Sequence, residues 1–281
     1  MYFLQNFFIW IRKYFIRILL GEYPNFYLKA SCITNHKRKK NIYLISSTDN
    51  FWVSKSMYKK WQFYSEYKGI ELNIYSNKQV NAFMKDNFKD DLIYEIYKKS
   101  ILPVQKIDIF RICCVYLYGG IWLDLKSEVD IGRVLQLYNK DNTNGILLYE
   151  PRKIEVITFS DNKQTKSYEN VIHNGFFFLP KGSLFLKKLL FKIKQDYLYF
   201  QDVVFNYPKD GIMNLTGPHQ FTRTYYDINS NTRPNLVSHT DIEWVFTSKY
   251  GEFLSPLKNP IHYSSLKKLK TIDSTKSLIL K

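Results

Sequence analysis

The 281-residue chain has only three cysteines, Cys32, Cys113 and Cys114. Two are neighbours in sequence and cannot conveniently bridge each other, so the chain reads as reduced, without a disulfide framework. No Cys/His spacing of a zinc site occurs. A phosphate-binding P-loop, a Gly-x-Gly-x-x-Gly turn and internal repeats are all missing. No Ser, His and Asp stand at a spacing that supports hydrolase chemistry. No continuous apolar run reaches the roughly 20 residues of a membrane-spanning helix. The run from Phe3 to Ile11 comes nearest, and Arg12, Lys13 and Arg17 interrupt its continuation. Those charges come after the apolar run and no small-residue cleavage site is obvious, so the stretch reads as a poor signal peptide. Acidic residues are scarce: 25 Asp and Glu against 41 Lys and Arg, a net charge of +16. That excess fits a nucleic-acid binder, a membrane-surface protein or an enzyme for anionic substrates. Nucleic acid is set aside as a partner, because no helix-turn-helix, zinc-finger or RNA-recognition motif is present and lysines are spread along the whole chain.

What is present is length and apolar content. At 45% hydrophobic residues the chain is not disordered, and it can bury the core of one large α/β domain. Ile42-Tyr43-Leu44-Ile45 reads as the first buried strand, with Ser46-Ser47-Thr48 at its carboxyl end. Residues 51–68 carry helical spacing at Trp52, Met57, Trp61 and Tyr64. Ile70 to Tyr75 alternates as a strand, and Ser76 or Asn77 caps a helix through Val80, Phe83 and Met84. Further on, 131–137 reads as a short helix, 145–150 as a strand, 158–170 as a polar loop, 171–179 as a strand and 183–196 as a helix. Strand–helix alternation predicts a mostly parallel central sheet flanked by helices.

The first residues stand apart. Leu4, Phe7, Phe8, Ile11, Phe15 and Ile18 share one helical face, with Asn6, Lys13 and Arg17 opposite. Such a helix either lies on a membrane surface or packs on the domain's own core. Gly21, Pro24 and the basic run His36 to Lys40 then break any pattern. The expected organisation is an amphipathic helix over 1–22, a basic linker over 23–40 and one domain over 41–281. The expected location is the cytoplasm or the periphery of a membrane.

Residues 105–130 carry the chemistry. Ile107, Phe110, Cys114 and Leu117 recur at helical spacing and mark a core face. Asp108 and Arg111, three apart, share a different face. Gly119-Gly120 stops the helix, since glycine takes the left-handed cap without strain. Ile121-Trp122-Leu123 is a short interior strand. Asp124 stands where that strand emerges, and open α/β sheets bind ligands beyond the carboxyl ends of strands. Read singly, Asp108–Arg111 would be a surface ion pair and Asp124 a turn residue; together with the glycine stop they are a candidate site.

This stretch resembles the Asp-x-Asp sugar-binding region of the family-32 glycosyltransferases, relatives of initiating mannosyltransferases and clostridial glucosylating toxins. Asp108, Arg111, Tyr116, Gly119, Gly120, Trp122 and Asp124 stand at matching places. One departure matters: Lys126 replaces the second Asp of the motif. The resemblance implies a GT-A-type nucleotide-sugar-binding fold. It also implies transfer of a hexose from a UDP- or GDP-sugar to a glycan, lipid or protein acceptor, with retention. Asp108 and Arg111 would hold sugar hydroxyls, Trp122 would pack near the nucleoside, and Asp124 would contact ribose, sugar or metal-bound water. In such folds the first strand leads into the nucleotide pocket, which makes Ser46 and Ser47 donor-site candidates. His173-Asn174-Gly175 and the following Pro180 resemble the family's Asn-Gly strand, placing Asn174 at the donor sugar or acceptor, against a plain turn role. Thr216-Gly217-Pro218 resembles another family segment, shaping the acceptor pocket or only a turn. Pro260-Ile261-His262 resembles the family's tail, where a late His helps bind metal and diphosphate.

The Lys126 departure opens three outcomes. A protonated lysine cannot bind a divalent cation, so its ammonium would neutralise the diphosphate directly. Alternatively Glu128 or Asp130 restores the carboxylate, and with Asp124 and His262 holds a manganese or magnesium ion. Or the site is degraded, leaving an inactive sugar-nucleotide-binding homologue. A basic membrane-surface protein, acting through residues 1–20, is the further alternative.

Overall fold

The computed structural model describes residues 22–24, 42–48, 52–54, 70–124, 127–140, 144–160, 163–246 and 266–275. In chain order the elements begin with strands β1 (Glu22–Pro24), β2 (Ile42–Thr48), β3 (Trp52–Ser54) and β4 (Ile70–Ser76). Helices α1 (Asn77–Phe88), α2 (Leu92–Lys99) and α3 (Pro103–Tyr118) follow, then β5 (Gly120–Leu123), β6 (Ser127–Glu128) and α4 (Ile131–Lys140). A long hairpin comes next, β7 (Ile146–Ser160) and β8 (Lys163–Leu179), then α5 (Leu184–Phe200) and β9 (Val204–Phe205). The order ends with α6 (Pro208–Leu215), α7 (Pro218–Tyr226), β10 (Asn235–Val237), β11 (Val245–Phe246) and β12 (Leu269–Lys270).

The central sheet has the order β10-β7-β8-β5-β2-β4. Three of its pairings are parallel, β10 with β7 and β2 with both β4 and β5. β8 runs antiparallel to both β5 and β7. The α/β class expected from the alternation stands, and the sheet is mixed because this one strand is reversed.

Strand alternation divides the core into two layers. Trp122 on β5 pairs with Phe177 on β8, and both enter a cluster with α1, α2, α3, α5 and α7. Their neighbours Ile121, Leu123, Phe176 and Phe178 point to the opposite face and pack with Val134, Leu135 and Tyr138 of α4. Side chains alternate across a strand, so three consecutive phenylalanines serve both layers. Truncating a fully buried one to Ala would cost about 3–5 kcal/mol.

Helix α3 lies deepest. Every residue from Asp108 to Val115 is buried, as expected of a helix that is apolar nearly all round. Pro103 opens it and Gly119, at φ 74°, closes it. A Cβ on Gly119 would also stand 2.6 Å from the Lys181 nitrogen, so space as well as conformation calls for glycine there. Ser76 caps α1 with a reciprocal Gln79 contact, as the sequence predicts. Cys113 and Cys114 are both buried.

Two sequence expectations need correction. Of residues 158–170, expected as a loop, 158–160 and 163–170 belong to the β7–β8 hairpin, whose register runs out to Ser160 opposite Lys163. Ile154, Val156, Ile157, Thr158, Thr165 and Tyr168 are β-branched or aromatic, and their preference for extended backbone outweighs the polar residues between them. Trp52, expected on a helix, lies in β3, which pairs with β1 through Trp52 opposite Pro24. The remainder of the expected 55–68 helix, residues 1–20 and His262 lie outside the described residues.

Candidate active site

The site forms where β5 ends. The parallel register of β2 with β5 and the antiparallel register of β5 with β8 bring three strands to this edge. The Asp124 N–H donates to the Gly175 carbonyl at 2.8 Å, which ties the residue after β5 to β8.

Arg111 is the hub. It reaches from α3 with its side chain only 6% exposed. Its Nη2 lies 3.1 Å from Asp108 Oδ1 and its Nη1 lies 3.3 Å from Asp124 Oδ1. Nη1 also donates to the Asn174 carbonyl at 2.6 Å. The guanidinium sits over the Trp122 ring, 5.0 Å from its centroid, a favourable cation–π geometry. The Trp122 indole N–H donates to Asp124 Oδ1 at 2.8 Å. Asn174 Nδ2 donates to Asp108 Oδ1 at 3.1 Å, and the Thr216 hydroxyl donates to Asp108 Oδ2 at 3.3 Å. Five residues singled out in the sequence, Asp108, Arg111, Trp122, Asp124 and Asn174, therefore meet in one network. Thr216 joins them from the turn between α6 and α7.

One guanidinium serves two carboxylates, and the electrostatics follow. Burial pushes the Asp108 carboxyl up to about 7 from 3.8, with Asp124 adding to the rise and Arg111, Thr216 and Asn174 opposing it. A buried carboxyl poised near neutrality beside a charge partner is a mark of functional sites.

Other expected residues fall elsewhere. Ser46 is not beyond a strand end: β2 continues through Thr48, and the Ser46 backbone pairs with Ile74 of β4. It follows Ile45, the partner of Trp122, so it remains on the same sheet edge. Glu128 lies in β6, paired with Val245 of β11. Asp130 accepts from the Arg133 N–H at 3.1 Å and caps α4. Lys126 lies outside the described residues, as does His262.

Three polar residues beside the network were not singled out in the sequence: His173, Glu150 and Arg152. His173 Nε2 stands 3.5 Å from Glu150 Oε1, and Arg152 Nη2 stands 3.7 Å from Glu150 Oε2. The one signal that would have pointed to them is Pro151, which cannot donate to a sheet ladder and so marks a break in β7.

The fit to a divalent cation is poor among the described residues. No three His, Cys, Asp or Glu side chains cluster there in a way that would hold a metal. Asp124 Oδ1 is already engaged by Arg111 and Trp122. Of the expected ligands, Asp124 lies in the network.

Residues 26–130 match the family described as "Glycosyltransferase sugar-binding region containing DXD motif". Asp108, Arg111, Trp122 and Asp124 fall inside the match, and Asn174 and Thr216 lie beyond it. No curated protein matches the chain. Among solved structures, "PaToxG Glycosyltransferase" is similar at 16% identity and a TM-score of 0.43, covering 66% of this chain and 68% of that one. Among the described residues no helix is long and apolar enough to cross a membrane. Four members of the network around Arg111 thus lie in a stretch that is similar to a DXD-containing glycosyltransferase sugar-binding region.

Proposed function

We propose that the chain is a GT-A-type enzyme that transfers a hexose from a nucleotide-diphosphate sugar, UDP- or GDP-linked, to a glycan, lipid or protein hydroxyl. The observation that carries this reading is the buried Arg111 held between Asp108 and Asp124 at the carboxyl end of β5. A buried charge network that is only half neutralised is costly for a purely structural role. It is well suited to a polyhydroxylated ligand, whose hydroxyls donate to carboxylates and accept from a guanidinium.

In this reading Asp108, Arg111 and Asn174 bind the donor sugar. Trp122 orients Asp124 through its indole N–H and packs near the nucleoside. Asp124 keeps Oδ2 for ribose or sugar. Departure of the nucleoside diphosphate builds negative charge, which a cationic group must stabilise. Lys126 fills that role in this chain, standing where the family has its second Asp. A divalent cation, general in the family, would supply the same stabilisation when bound; Asp124 is the described residue nearest that task. Retention of configuration comes with the family. The amphipathic face of residues 1–20, ahead of a linker over 23–40, would bring the enzyme to a membrane surface.

The test is nucleotide release from a panel of UDP- and GDP-sugars, first with manganese and then with EDTA. Release that survives EDTA and falls on Lys126→Ala supports the lysine as the cationic group. Release that dies with EDTA assigns the role to a metal. Donor binding without release from any sugar identifies an inactive homologue, and neither binding nor release refutes the reading.

A further inference from the structure

The β7–β8 ladder is interrupted twice, and both interruptions deliver polar side chains to the same place. Leu147 is opposite Phe177, yet the next residue, Leu148, is opposite His173, so 174–176 have no partner on β7. This first bulge, on β8, carries Asn174 and Gly175 into the Arg111 network. Tyr149 is opposite Ile172, yet Lys153 is opposite Asn170, so β7 carries surplus residues at Glu150-Pro151-Arg152. Bulges re-aim side chains, and they concentrate beside active sites. The second bulge has no part in the donor reading above.

His173 joins the two bulges. Its Nδ1 accepts from the Gly175 N–H at 3.0 Å. The ring proton is therefore left on Nε2, which faces Glu150 Oε1 at 3.5 Å. Burial lowers the basicity of His173 and outweighs the pull of Asp124 and Glu150, which favours that neutral form. Trp244 packs on the ring, 4.9 Å between centroids. Behind it, the Ile172 N–H donates to Thr222 of α7 at 2.9 Å, which fixes β8 at this point. With Nδ1 occupied and Nε2 protonated, His173 has no free lone pair; it is a positioning residue for Glu150.

Glu150 is then a held but incompletely used carboxylate. His173 lies beside one oxygen and Arg152 beside the other, at 3.7 Å, and its side chain is 32% exposed. His173, beside it, has the donor network across Gly175. A Cβ at Gly175 would stand 2.8 Å from Asp124 Oδ2 and 2.4 Å from His173 Cε1. The Asp124 carboxylate and the His173 ring thus face each other across one bare Cα.

We infer that Glu150, held by His173 and Arg152, is the hydroxyl-binding group of an acceptor subsite, and that the acceptor it takes is a neutral polyhydroxylated molecule such as a sugar. A carboxylate with lone pairs to spare accepts from a hydroxyl and repels an anion, which sets the substrate class. Arg152, about half exposed, stands 3.7 Å from the second oxygen and leaves it open to a hydroxyl. The inference rests on the glycosyltransferase reading of the adjoining network.

The experiment uses the full chain, the donor that gives the fastest nucleotide release, and methyl α-glucoside, methyl α-mannoside and methyl β-galactoside as acceptor probes. Donor affinity is measured separately by calorimetric titration. Glu150→Gln should keep donor affinity within about twofold and lose about tenfold or more of the glycoside-stimulated release, the loss expected for a hydrogen bond to a charged group. His173→Phe, which keeps a ring and removes the nitrogens, should raise the glycoside concentration for half-maximal stimulation more than it lowers the maximal rate. Stimulated release unchanged in Glu150→Gln overturns the subsite, and donor affinity lost in step with release assigns Glu150 to the donor site instead. No stimulation of the wild-type protein by any glycoside overturns the neutral-polyol class. If the wild type neither binds nor cleaves any donor, the glycosyltransferase reading itself fails, and the subsite with it.

Discussion

Replacing Asp108 by Asn should make the protein more stable at pH 8 while removing sugar binding. The Asp108 carboxyl is raised from 3.8 to about 7, with burial as the largest cause. The folded state therefore holds this proton more tightly than the unfolded chain, and stability falls as pH rises through the window between those values. At about 1.4 kcal/mol for each pKa unit, the ionised carboxylate costs the fold about 4 kcal/mol above pH 7. Asparagine mimics the protonated form. Its carbonyl can keep the Arg111 Nη2 and Asn174 Nδ2 contacts made by Asp108 Oδ1, 3.1 Å each. Its NH2 takes the place of Oδ2 and donates to the Thr216 hydroxyl, which rotates to accept. Urea unfolding of both proteins at pH 5 and pH 8 reads the effect. The advantage of the variant should grow by about 2–3 kcal/mol between the two pH values, since only the wild type ionises there. A variant less stable than wild type at pH 8, or an advantage that does not change with pH, would show that ionised Asp108 does not burden the fold.

Two further substitutions probe the same network. Arg111→Met leaves Asp108 and Asp124 without their shared counter-charge and should cost about 3–5 kcal/mol in denaturant unfolding at pH 8, as is usual for an uncompensated buried charge; a loss under 1 kcal/mol would mean that water already solvates the pair. Gly175→Ala places a methyl 2.8 Å from Asp124 Oδ2 and 2.4 Å from His173 Cε1. It should lower nucleotide release about 100-fold through displacement of the carboxylate, at a stability cost of about 1–3 kcal/mol; near-normal release in that variant would show that the approach of β8 to Asp124 does not matter.

The part of the site that was legible in the sequence is the part that is local. Asp108 and Arg111 share a face because they are three apart on one helix, and Gly119-Gly120 turns the chain so that Asp124 comes back over them. Helical period and glycine chemistry suffice for that. Asn174 and Thr216 contribute from 66 and 108 residues beyond Asp108. Only resemblance to other sequences pointed to them, since nothing in local spacing sets such contacts. His173 and Glu150 were missed because their meeting depends on two register shifts between β7 and β8, and a shift is a property of the pairing rather than of either strand. The same hairpin misled the secondary-structure reading. Its outer half carries no clean apolar alternation, so polarity suggested a loop where backbone pairing builds a ribbon. The reversed direction of β8 was equally hidden, because alternating helices and strands do not reveal which strand runs backwards.

Whether the Arg111 network is the seat of sugar transfer is decided by nucleotide release from Asp124→Asn beside the wild type. The assay uses the best donor, and circular dichroism confirms that both proteins are folded. The Asp124 carboxylate lies beside Arg111 and accepts the Trp122 indole proton, so the variant keeps its fold. The prediction is release lowered by about 100-fold or more, as for loss of a preorganised polar group in an active site. Equal release by the folded variant and the wild type would move the reaction away from the end of β5.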